Sequence, residues 1–119
     1  MLRDITSFKA IYIACGRVDL RKGIDGLASI VKEQFDLNPF QKDVLFLFCG
    51  RKQDRWKGLV WEGTGFTLLY HRIEAGHVQW PRNGSELAQL TLEDYHRLLD
   101  GFAVLQKPTI RESDCTEIS

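Results

Sequence analysis

The sequence predicts an α+β fold, a single domain with an antiparallel β-meander of about four or five strands and two main helices packed on one face. Three observations predict it. Short apolar, β-branched and aromatic runs separated by Gly-containing turns fill the middle of the chain, helical periodicity occurs on either side of them, and a 119-residue chain with 44% hydrophobic side chains supplies one small core. Residues 1–102 are expected to form the domain. Residues 103–119, with Pro108, several acidic groups and no period, are expected to form a flexible tail.

The elements follow in order. IYIACG (11–16) reads as a short strand closed by Gly16. From Asp19 the period changes, because Leu20, Ile24, Leu27, Val31 and Phe35 recur at helical spacing, with Asp19 as a good N-cap and DLNP (36–39) as the stop. VLFLF (44–48) is a continuous apolar run, which predicts a strand buried on both faces. RWKGLVWE (55–62), GFTLLYHRIE (65–74) and HVQWP (77–81) complete the expected meander. For the second helix the sequence offers Thr91 as N-cap, Asp94 at the capping-box position and a staple between Leu90 and Tyr95. Leu92, Tyr95, Leu98, Leu99 and Phe102 form its apolar face, and Gly101 its stop.

The formal net charge is zero, so no global excess of positive charge draws the chain to nucleic acid or to an anionic membrane. Its distribution is uneven. Residues 1–22 and 51–82 each sum to +3, residues 23–50 to −2 and residues 83–119 to −4. No apolar run reaches membrane-spanning length, and MLRDITSFKA lacks the core of a signal peptide, so a soluble cytoplasmic protein is expected. Cys15, Cys49 and Cys115 are odd in number, widely spaced and never in a C-x-x-C pair, so they define neither a disulfide framework nor a zinc knuckle.

Two groups of side chains are candidates for binding. Arg17, Arg21 and Lys22 gather at the start of the first expected helix, where the macrodipole disfavours cations and free N–H groups suit an anion. Arg51, Lys52, Arg55 and Lys57 surround one turn, and Arg72 ends the following strand. Such cations beside Tyr and Trp make a surface for phosphates and stacked bases, or for another protein. Long basic stems laid over an ordinary aromatic core make the same composition.

Enzymatic chemistry has little to build on. Asp43, Asp54, Glu62 and Glu74 fall at expected strand ends rather than converging, the histidines lack metal-ligand spacing, and no phosphate-binding or nucleophile-elbow motif occurs. Cys49 with His71 as base is the one nucleophilic pairing available, against which a thiol closing a buried strand is usually packing. We expect no catalytic residues, no metal and no cofactor.

The succession VDLRKGIDGLA, VLFLFCGRKQDRWKGLVWEGTGFTLLYHRIEAG, HVQWP and LLDGF resembles the TnpB-type accessory proteins of bacterial insertion sequences of family sixty-six, which are distinct from the RNA-guided nuclease sharing that label. The resemblance spans roughly residues 8–102, in order and at the family's spacing. It rests on Asp19 with Arg21, Lys22 and Gly23; on Asp54, Arg55 and Lys57 before Trp61, Glu62 and Gly63; and on Gly65, Phe66, Trp80 and Pro81. Cys49, Gly50 and Gly58 depart from the residues usual in relatives. The resemblance implies a non-catalytic accessory factor for transposition, encoded beside a separate transposase. The expected function is contact with double-stranded transposon DNA at element ends, through a basic face of Arg17, Arg21, Lys22, Arg51, Lys52, Arg55, Lys57 and Arg72. The alternative is an adapter, anchored by Trp56, Trp61, Tyr70 and Trp80, that binds the transposase or another element-encoded protein without touching DNA.

Overall fold

A computed structural model describes residues 7–82 and 87–100. Its centre is β2 (Val44–Cys49), whose every residue is buried, as a continuous apolar run requires of a strand covered on both faces. The other elements are β1 (Ala10–Ala14), α1 (Ile24–Ser29), β3 (Arg55–Trp61), β4 (Phe66–Arg72), β5 (Leu87–Leu90) and α2 (Leu92–Leu99). The sheet order is β4-β3-β2-β1-β5. All neighbours pair antiparallel except β1 and β2, which run parallel with Ala10 beside Val44. The α+β class therefore stands. The parallel step departs from a pure meander, because the connection carrying α1 is long enough to return the chain to the same end of the sheet.

The helices cover opposite faces rather than the one face expected. Leu27 of α1 and Val31 pack on Phe46, Phe48 and Leu59, whereas Tyr95 and Leu98 of α2 pack with Leu45, Leu47, Trp56 and Val60. Alternation along β2 is the cause, since its odd and even residues each present bulk that a helix must cover.

The first helix begins later than expected, at Ile24 with Gly23 as N-cap. Asp19 is occupied elsewhere. Its Oδ1 accepts from the backbone N–H of Arg21 at 3.0 Å and its carboxylate grips the Arg21 guanidinium, so it closes a turn instead of capping a helix. The helix widens into a π-turn over Ile30–Gln34 and stops where Asp36 adopts φ 57° and Leu37 donates back to Val31 O. Thr91 and Asp94 form the expected capping box of α2, and Leu90 and Tyr95 share its core. Leu92 and Leu99 are exposed, so only part of the expected apolar face is used. Gly101, Phe102 and the expected tail 103–119 lie outside the described residues.

One expected strand is absent and one was not anticipated. HVQWP crosses the ends of the strands without joining the ladder, its Val78 and Trp80 N–H groups being taken by the carbonyl and side chain of Gln53. LAQL instead becomes β5, antiparallel to β1. Among the described residues no helix is long and apolar enough to cross a membrane.

Candidate nucleic-acid interface

The β1–α1 loop and the β2–β3 turn start far apart in sequence and are brought side by side by the parallel pairing of β1 with β2. Val18 N donates to Cys49 O at 2.9 Å and ties the loop to the end of β2. Glycine permits the approach twice. Gly16 holds φ 88°, and a Cβ on Gly50 would sit 3.2 Å from Leu20 Cγ and 3.5 Å from Val18 O.

A strap from Val78 to Arg82 locks this arrangement. Trp80 Nε1 donates to Ala14 O at 2.8 Å in a buried bond, and Pro81 O accepts from Gly16 N at 2.9 Å. The Arg82 guanidinium then forks between the two loops, donating to Gly16 O at 2.8 Å from one nitrogen and to Gly50 O at 2.7 Å and Arg51 O at 3.3 Å from the other. Three backbone carbonyls on two loops are bridged by one planar cation, which a lysine could not do.

Between the loops lies an open cleft of about 710 Å³ whose lining includes Arg17, Arg21, Arg51, Lys52 and Arg55. Five of the eight candidate cations thus converge, drawn from both basic segments. Arg17 also borders a second cleft of about 490 Å³, together with Lys22 and Glu33. Lys57 stands beside these, its Nζ donating to Lys22 O at 3.2 Å and lying 5.9 Å from the Tyr70 ring centre. Arg72 faces Arg55 across the β3–β4 ladder. Like charges so placed repel, and each is offset by its own carboxylate, Asp54 for Arg55 and Glu74 for Arg72.

The cations fall into two classes. Arg21, Arg55 and Arg72 are paired with Asp19, Asp54 and Glu74, whereas Arg17, Lys22, Arg51, Lys52 and Lys57 have no carboxylate ion pair among the described residues. Hydrogen bonding and the charge of Arg21 hold the Asp19 carboxyl down at about 2, and Arg55 likewise holds Asp54 below the ordinary carboxylate range. These pairs are solvent-exposed and individually weak. Lys22 directly precedes the N-cap Gly23, its stem lying against Gly26 of the first turn, whereas Arg21 belongs to the preceding turn. The dipole argument therefore concerns Lys22 alone and not Arg17 or Arg21.

The aromatic anchors separate. Trp56 and Trp80 are buried at 3% and 4% exposure and belong to the core under α2, so they are not available as exposed anchors. Tyr70 is 53% exposed, and Trp61 is half-buried in a cluster with Phe66 and Phe40 at ring-centre distances of 4.9 and 5.1 Å. Strand parity alone does not tell which face of a two-sided sheet is wet, and Trp56 lies on the face that α2 covers.

The Cys49 thiol donates to the carbonyls of Lys52 and Arg55, and burial pushes its pKa up. The His71 ring stacks on Trp56, the residue opposite Cys49 in the β2–β3 ladder. The two groups are thus separated by an indole, and a thiol with a raised pKa is a poor nucleophile. Among the described residues no group of His, Cys, Asp and Glu could hold a metal ion. Sequence reasoning passed over Gln53 and Arg82, which organise the cleft. Arg82 carries one visible signal, an arginine placed directly after Trp-Pro.

Comparison with known proteins places the chain among relatives. The model of the family described as IS66 Orf2 like protein matches residues 9–108. An uncharacterized protein, y4jC, of Sinorhizobium fredii is 29% identical over 104 residues, covering 85% of this chain and 88% of its own. No solved structure matches.

Proposed function

The chain belongs to the IS66 Orf2-like family, which implies an accessory role in transposition, and from that premise we propose that it is a non-catalytic factor contacting transposon DNA through the basic cleft, beside the transposase. The observation that carries the reading is the meeting of Arg17 and Arg21 with Arg51, Lys52 and Arg55 around one open cleft in a chain of zero net charge. Unpaired cations on one rim release counterions when they neutralise phosphates, and that release is the sequence-independent part of DNA affinity. Backbone contacts of this kind fix register on the duplex without reading bases. Replacing Arg51, Lys52 and Arg55 together by alanine tests it. The folded triple variant should lose affinity for element-end and scrambled duplexes alike, and undiminished binding would sink the reading.

A second reading is favoured by the exposed Tyr70 and the Phe40–Trp61–Phe66 cluster. In it the protein is an adapter that docks on the transposase or another element-encoded protein without touching DNA. Co-purification with the transposase in high salt after nuclease treatment supports the adapter, and loss of the partner there counts against it.

A further inference from the structure

The two edges of the sheet differ. β5 is four residues long, whereas β4 has seven, and its side chains become exposed from Tyr70 onward. Among the described residues nothing pairs with the outer edge of β4. Natural sheets protect such edges with proline, lysine, bulges or brevity. FTLLYHR has no proline, glycine or lysine, and its pairing with β3 runs unbroken from Phe66 opposite Trp61 to Arg72 opposite Arg55.

We propose that β4 is a dimerisation edge, at which two copies of the chain pair their β4 strands antiparallel about a two-fold axis at Leu69 to form one continuous sheet. Reversal makes the strand complementary to itself. Leu68 then faces the partner's Tyr70 and Phe66 faces the partner's Arg72, and each pair occurs twice. Tyr70 is 53% exposed, with Lys57 over its ring, and the Arg72 side chain is 56% exposed beside Glu74. The ring receiving that guanidinium belongs to the Phe40–Trp61–Phe66 cluster, whose π-faces attract a cation. An in-register parallel arrangement would set Arg72 against Arg72 and is opposed by like charge. Pairing β4 with β5 of another copy is mismatched in length, and such a head-to-tail contact need not close. The antiparallel dimer carries a basic cleft on each copy, with the two Arg72 Cα atoms about 20 Å apart by strand rise alone.

Sedimentation velocity on the nuclease-treated full chain, over a wide concentration range, tests the proposal independently of any DNA binding. A reversible shift from one to two chain masses is expected. Tyr70→Lys should weaken dimerisation by about tenfold or more, because both symmetric pairs lose a ring and gain a cation near Arg72. Leu92→Lys, on α2, should leave it unchanged. Hydrogen exchange on the wild-type chain supplies the readout should Tyr70→Lys misfold, with β4 amides gaining protection as concentration rises. A monomer at every concentration, a dimer indifferent to a folded Tyr70→Lys, or β4 amides with concentration-independent exchange would overturn it.

Discussion

Arg82→Ala removes the fork that bridges the two loops of the basic cleft. Three carbonyl acceptors lose their donor, at 2.8, 2.7 and 3.3 Å, while the Val18–Cys49 and Gly16–Pro81 backbone bonds remain. Hydrogen bonds from a charged donor contribute on the order of 1.5 to 3 kcal/mol each when fully buried. Arg82 is only partly buried, so water replaces part of the loss and the longest bond counts for little. We expect a cost of about 2 kcal/mol, equivalent to a fall in Tm of about 8 °C for a domain of this size. Urea denaturation of wild type, Arg82→Ala and Arg82→Lys measures it. Lysine keeps the charge but has no planar fork, so it should recover less than half of the loss. A change below about 0.5 kcal/mol for alanine, the size of an ordinary surface substitution, would refute the clamp, and full rescue by lysine would replace bridging with plain charge.

Three further outcomes follow from specific contacts. Trp80→Phe should cost about 1 kcal/mol more than Trp56→Phe in chemical denaturation, because it removes a buried hydrogen bond to Ala14 O whereas the Trp56 Nε1 has no hydrogen-bond partner to lose. Gly58→Val should destabilise by roughly 1 to 3 kcal/mol, since a Cβ there already lies 3.2 Å from Leu45 Cδ1 and 3.4 Å from Leu47 Cδ2; an unchanged midpoint would mean that the leucines repack freely. Asp19→Asn should free Arg21 and raise duplex affinity with a steeper salt slope, checked by anisotropy. The same carboxyl is depressed in the folded chain, to about 2, so its favourable pairing is present above its ordinary carboxylate range and is lost as pH falls through that value. An acid titration should accordingly show the wild-type chain losing a stabilising contribution toward pH 2 that the Asn variant lacks.

The parts of this fold legible in the sequence are those decided locally. VLFLF announces a strand buried on both faces because five apolar residues in succession leave no polar side, and Thr91 with Asp94 announces a helix start because their bonds span one turn. Asp19 misleads by the same local logic, since a residue fit to cap a helix is equally fit to close a turn, and the arginine two places on decides between them. The identity of the clustered cations was readable from the chain, but their convergence was not. It depends on β1 running parallel to β2 and on Arg82 reaching back to Gly16, contacts between residues more than thirty positions apart. HVQWP looked like a strand because its alternation is right; its donors are spent on Gln53, a partner that no periodicity reveals.

The most direct test of the basic cleft is a salt titration of the wild-type protein against a labelled element-end duplex, followed by fluorescence anisotropy, with a scrambled duplex alongside. If Arg17, Arg51 and Lys52 meet phosphates, affinity at low salt should fall steeply as salt rises, by about 0.9 in log–log slope for each phosphate neutralised and so by roughly 3 for those three together. Absence of binding at low salt, or binding whose strength is independent of salt, would contradict the account and leave the basic loops as a solvated rim.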